Sequence, residues 1–70
     1  MKNWDWVKLE AAKHRRLLEL RAIIEIELTR QMPFSEMSIR ITLRIIRREF
    51  GRDAEIETLR QFGLPDQNAA

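Results

Sequence analysis

The stretch of residues 35–51 constrains the fold most, because it combines the densest apolar pattern of the chain with its densest positive charge. Treated as a helix at about 100° per residue, it gathers its apolar residues into one arc of roughly 60°: Ile39, Leu43, Ile46 and Phe50. Four arginines fall within a separate arc of roughly 100°. Ser35 or Ser38 can cap the first turn of this helix, and Gly51 can end the last turn in a left-handed conformation.

The same stretch also fits a strand, because its apolar residues recur with period two. They occupy every second position of residues 39–45, and they do so again in residues 24–28. Strict alternation in a run rich in β-branched residues is typical of a half-buried strand. The alternative fold is therefore α-β-β-α, with a central hairpin at residues 23–29 and 38–46 that a dimer could extend into a four-stranded sheet.

The segment before this stretch favours helices. Residues 6–28 contain no glycine or proline and are dominated by residue types of high helix propensity. Placed antiparallel to the central helix around a turn at residues 31–34, this helix matches it in register. The expected contacts are Leu28 with Ile39, Ile24 with Leu43, Leu20 with Ile46, and Leu17 with Phe50. Pro33 helps to end the first helix by restricting the residue before it.

A third, shorter helix is expected at residues 53–62, with one apolar face formed by Ile56, Leu59 and Phe62. So short a helix can cover only one flank of the hairpin. Both long helices carry surplus apolar residues, and a chain of 70 residues has a marginal core of its own. The favoured fold is thus an all-α three-helix chain, a long helical hairpin plus a short C-terminal helix, that dimerises into a helical bundle.

The chain is expected to form one small domain at residues 1–64, followed by a disordered polar tail at residues 65–70. The surface expected to contact a second copy or another protein consists of Trp4, Trp6, Leu18, Ile23, Ile26, Ile41 and Ile45. Trp4 and Trp6 point nearly opposite ways on a helix. One of them is therefore expected to join the core or the dimer interface while the other stays partly exposed.

A basic face is the second candidate site: Arg40, Arg44, Arg47 and Arg48, extended by Arg52. Guanidinium groups at helical spacing can contact successive phosphates of a nucleic acid, or the carboxylates of an acidic partner. The competing interpretation is that acidic residues of the same chain pair with them: Glu19, Glu25, Glu27 and Glu36. The net charge of +2 permits nucleic-acid binding without requiring it.

Several function classes find no support in the sequence. The chain has no cysteine and a single histidine, His14, which disfavours disulfides, thiolate chemistry and zinc sites. No paired carboxylates or phosphate-binding loop are visible, so we expect no enzymatic activity, no cofactor and no small-molecule substrate. No apolar run approaches the ~20 residues of a membrane span, and no secretory signal is visible at the N-terminus. We therefore expect no membrane association and a cytoplasmic location.

These observations favour a non-catalytic protein-interaction module: an adaptor, regulator or inhibitor that acts as a homodimer and binds another protein. The alternative is a nucleic-acid-binding regulator that uses the Arg40/Arg44/Arg47/Arg48 face. In either fold, seven apolar residues should be buried: Ile24, Ile26, Leu28, Ile39, Leu43, Ile46 and Phe50.

Overall fold

The computed structural model describes residues 3–66, which form three α-helices. Helix α1 is Asn3–Arg30, α2 is Ser35–Phe50 and α3 is Arg52–Phe62. The prediction of an all-α chain with a long helical hairpin and a short C-terminal helix is confirmed. Of the predicted tail, residues 67–70 lie outside the described part of the chain.

The alternative α-β-β-α fold is wrong, because no strand occurs between residues 3 and 66. Residues 23–29 and 38–46 lie inside α1 and α2. Neither segment is interrupted by glycine or proline, and both are flanked by strong helix formers. An isolated two-stranded hairpin is at best marginally stable in water. The helical periodicity of the apolar residues therefore determines the structure of these two segments, and their period-two alternation does not.

The hairpin core contains the residues that the matched register predicts. Leu20, Ile24, Ile39 and Ile46 form the buried cluster. The other four members of the predicted register are half-buried and pack against it: Leu17, Leu28, Leu43 and Phe50. The predicted burial of Ile26 is wrong within one chain, since its side chain is 53% exposed. It lies two residues after Ile24, and that step turns it about 200° around the helix, away from α2.

A buried hydrogen-bond network ties the turn between α1 and α2. The backbone N–H of Met32 donates to Ser35 Oγ at 2.9 Å, and this hydroxyl donates to Glu27 Oε1 at 2.8 Å. Glu27 is only 8% exposed, and its contact with Ser35 sets its carboxylate at the positive end of the α2 dipole. The prediction that Ser35 or Ser38 caps α2 is wrong: the N-cap is Phe34, which makes no side-chain cap bond. The hydroxyl oxygen of Ser35 instead accepts a hydrogen bond from the backbone N–H of Met32, in the turn before α2.

Residues with positive φ mark the helix ends. Gln31 (φ 51°) follows the last residue of α1, and its N–H bonds to the carbonyl of Glu27 at 3.0 Å. Gly51 joins α2 to α3 with φ 100° and ψ 172°, a positive-φ conformation that essentially only glycine adopts, outside the predicted left-handed helical region. Gly63 does adopt the left-handed conformation and ends α3.

Helix α3 buries a more polar face than predicted. Its buried residues are Glu55, Thr58 and Leu59, whereas Ile56 and Phe62 are half-buried. The hydroxyl oxygen of Thr58 accepts a hydrogen bond from Arg21 Nε of α1 at 2.9 Å. This bond orients α3 on the hairpin, so polar pairing as well as apolar spacing decides which face it buries.

Candidate interaction surfaces

The N-terminal part of α1 extends beyond its partner helix. α1 has 28 residues and α2 has 16, a difference of roughly 18 Å at about 1.5 Å per residue. The end of α2 is fastened to α1 where Arg16 Nε and Nη2 donate to the two carboxylate oxygens of Glu49, both at 3.1 Å. Every side chain of residues 4–15 is exposed. We call residues 4–15 the arm and residues 16–66 the body.

The arm is exposed although it is apolar. Trp4 and Trp6 are 74% and 64% exposed, and Val7 and Leu9 are 47% and 53% exposed. Trp6 precedes Ile24 by eighteen residues, which is five helical turns, so it continues the core-facing side of α1. Trp6 lies beyond the end of α2, and its side chain is mostly exposed. The prediction that one tryptophan joins the core is therefore wrong within one chain.

A second apolar line runs along the side of α1 that faces away from α2. We call it the outer line, and its six residues are Trp4, Val7, Ala11, Leu18, Ala22 and Ile26. All six are exposed. They lie within an arc of roughly 100° whose centre is about 145° from Ile24 around the helix. Helix α1 is thus apolar on two nearly opposite sides, and its contact with α2 uses only one of them.

The structure divides the predicted partner surface into two parts. Trp4, Trp6 and Leu18 belong to the arm and the adjoining part of α1. Ile23, Ile41 and Ile45 lie elsewhere, on the flank of the hairpin opposite α3: Ile23 is about 200° around α1 from Arg21, the residue that bonds to α3. Of these three, Ile23 and Ile41 are exposed, whereas Ile45 packs against the core. Ile26 lies between the two parts.

Sequence reasoning missed several exposed apolar residues: Val7, Leu9, Ala11, Ala22, Phe34 and Met37. The spacing of three and four residues from Trp4 to Val7 and on to Ala11 was a usable signal, because it predicts one helical face. For Phe34 and Met37, next to the turn, no comparable pattern exists.

The predicted basic face is partly neutralised by neighbouring carboxylates. Arg40 pairs with Glu36 at 3.5 Å and Arg47 lies 4.0 Å from Glu55. Of the four predicted acidic partners, Glu36 alone forms a salt bridge with this face. Arg44 and Arg48 form none with any described residue.

Arg52, the predicted extension of the basic face, forms salt bridges with two carboxylates of the same chain, those of Glu55 and Asp66. Its guanidinium donates to Glu55 at 2.6 Å and also to Asp66, and these hydrogen bonds, the one to Glu55 first, raise the pKa of Arg52. Glu55 is buried. The pairing holds the start of α3 and the chain that follows Gly63 together, so Arg52 is engaged within the chain.

An open groove of about 660 Å³ lies between the end of α1, α2 and the chain after α3. Its apolar lining includes Leu28, Ile39, Leu43, Leu59 and Leu64. Its charged lining includes both signs: Arg40, Arg44, Arg47, Glu27, Glu36, Glu55 and Asp66. Because both charges are represented, the groove does not select an anionic or a cationic ligand by charge alone.

Within residues 3–66, no group of three or more histidine, cysteine or acidic residues is placed to hold a metal ion. No helix of this part combines the length and the apolarity needed to cross a membrane. Comparisons with family models, with curated proteins and with solved structures find no match. The arm and the outer line therefore stand as candidate interaction surfaces on their own geometry.

Proposed function

We propose that the chain is a non-catalytic protein-interaction module that acts as a homodimer through the outer line, which lies partly on the arm and partly on the body. The exposed apolar arm supports this most strongly. All side chains of residues 4–15 are exposed, whereas most helical stability in proteins comes from packing of an apolar face. A second copy that covers the outer side of the arm supplies this packing and removes Trp4 from water.

The outer line gives independent support, because its apolar residues continue from the arm into the body without interruption of the helix. A stripe that serves only the hairpin would face α2. Exposed apolar residues that share one helical face mark protein interaction sites more often than scattered single residues do. An adaptor, regulator or inhibitor needs such a surface and no catalytic group.

Sedimentation equilibrium over a wide concentration range tests this proposal. We expect reversible self-association of the wild-type chain. Leu18→Glu places a charge on the outer line and should weaken association at least about ten-fold, which corresponds to about 1.4 kcal/mol. The matched control is Met37→Glu, an exposed apolar position on α2, which should associate like the wild type. A wild-type chain that stays monomeric throughout would contradict the proposal.

Nucleic-acid binding is a second candidate function, favoured by one observation: Arg44 and Arg48 are exposed and form no salt bridge with a described residue. Fluorescence anisotropy with a random-sequence DNA duplex and an RNA hairpin, at low and physiological salt, tests it. If this candidate holds, affinity falls steeply with salt, and replacing both arginines by alanine lowers the log–log salt slope by about two. Absence of binding at low salt would rule it out.

A further inference from the structure

We infer that two copies pair antiparallel along α1, with the two-fold axis between His14 and Arg15, so that each arm covers the outer line of the other body. This inference rests on the proposed homodimer and adds its geometry. It follows from the outer line having one half on the arm and one half on the body, on either side of Arg15: a two-fold axis at its middle exchanges the two halves.

The side-chain sizes along the outer line are complementary under this operation. The two-fold axis brings Ala11 to the partner's Leu18, Val7 to the partner's Ala22, and Trp4 to the partner's Ile26, each pair equidistant from the axis to within one residue. An alanine thus meets a larger residue in two of the three layers, and in the third Trp4 meets the smaller side chain of Ile26. Such alternation lets two helices pack closely, at interaxial distances of about 8–10 Å, without cavities or overpacking.

A parallel arrangement lacks this complementarity. Each residue of the outer line would then meet its own copy, so that tryptophan meets tryptophan and alanine meets alanine. The tryptophan layer would be overpacked and the alanine layers would leave cavities, and both effects destabilise a packed interface. The antiparallel arrangement also places the two bodies at opposite ends of the paired helices, where α2 and α3 of one copy do not obstruct those of the other.

Charges beside the outer line favour the same register. Lys8 and Glu19 lie about 20° apart around α1, on the same side of the line. In antiparallel pairs, residues on the same side of the two helices meet, so Lys8 comes close to the partner's Glu19, twice by symmetry. Arg15 lies next to the axis and meets its own copy. This like-charge contact opposes association and supplies a further test.

The inner side of the arm takes no part in this contact. Trp6 and Leu9 face the direction of the core, beyond the end of α2, and stay outside the paired helices. Leu9 is therefore a matched control for Val7: both are exposed apolar residues of the arm, on different sides of the same helix.

Distances between spin labels test the orientation and register. The chain contains no cysteine, so single-cysteine variants at Ala12 and Arg30, both exposed and beside the outer line, label one site per copy. In the antiparallel dimer, the axial separation grows by about 3 Å for each residue away from the axis. We expect short separations, below about 20 Å, at position 12 and about 45 Å at position 30. Similar short separations at both positions would establish a parallel dimer and overturn the inference.

Sedimentation of three further variants completes the test. Val7→Glu should weaken association at least about ten-fold, Leu9→Glu should leave it nearly unchanged, and Arg15→Ala should tighten it several-fold by removing the like-charge contact. Equal losses from Val7→Glu and Leu9→Glu would overturn the inferred geometry while leaving a homodimer in place. A wild-type chain that never associates would instead refute the proposed homodimer itself.

Discussion

The two halves of α1 differ in burial although they resemble each other in sequence. Residues 17–28 supply Leu20 and Ile24 to the core, whereas the arm, residues 4–15, is exposed on every side. Both segments lack glycine and proline and carry apolar residues at helical spacing. The difference comes from α2, whose last residues, Glu49 and Phe50, lie near Ala12 and Lys13 and leave the rest of the arm uncovered. Propensity and periodicity thus predict that a helix forms, and the length of its neighbour decides which part is buried.

The largest expected effect is the difference in the free energy of unfolding between a core substitution in the body and a substitution in the arm. Ile24→Ala removes a fully buried side chain and should lower the free energy of unfolding by about 2–5 kcal/mol, because it leaves a cavity in the core. Leu9→Ala in the arm should cost less than about 0.5 kcal/mol, as is usual for exposed positions. Urea denaturation at low protein concentration measures both, and equal losses would remove the distinction between the two halves.

A smaller loss in the free energy of unfolding is expected at the hydrogen-bond network between Ser35 and Glu27, at the turn between α1 and α2. Ser35→Ala deprives buried Glu27 of its hydroxyl donor and the N–H of Met32 of its acceptor. The expected loss is about 1–3 kcal/mol, measured by the same denaturation. The control Ser38→Ala changes a half-buried serine outside this network and should have little effect. A Ser35 variant as stable as its control would show that the network contributes nothing.

The smallest effect is expected at the border between arm and body. The hydrogen bond from Arg16 lowers the pKa of Glu49 below its ordinary value of 4.5. Stability from this pair is therefore present above that pH and is lost as pH falls through the lowered pKa. Glu49→Gln should lower the thermal midpoint slightly at neutral pH, because the pair is exposed and screened. The difference from wild type should vanish on acidification; a difference independent of pH would contradict this.

The sequence was sufficient to predict the hairpin and its core. Leu20, Ile24, Ile39 and Ile46 recur at the helical period on two segments without helix breakers, and the matched register brings them together. The local details at the helix ends were not predictable in the same way. Ser35 at the start of α2 has the chemistry of a cap, but the nearby buried carboxylate of Glu27 competes for its hydroxyl. That competition depends on tertiary structure and leaves no signal in the spacing.

The candidate sites were predicted less completely than the core. The sequence predicts the arginines of α2 and one of their acidic partners, Glu36, but the other three predicted partners lie on α1 and form no salt bridge with these arginines. The observed partners are Glu36, one turn away on the same helix, and Glu55, which α3 brings next to Arg47. The orientation of α3 depends on the bond between Arg21 and Thr58, which no periodicity predicts. The exposed arm likewise follows from the relative lengths of two helices, not from one motif.

Hydrogen exchange of the backbone amides, measured at low and at high protein concentration, tests the central claim most directly. The claim is that the body folds within one chain and the arm is stabilised by a second copy. It predicts that residues 17–28 are protected at both concentrations, whereas the arm exchanges rapidly at low concentration and becomes protected at high concentration. Arm protection that does not change with concentration would contradict it.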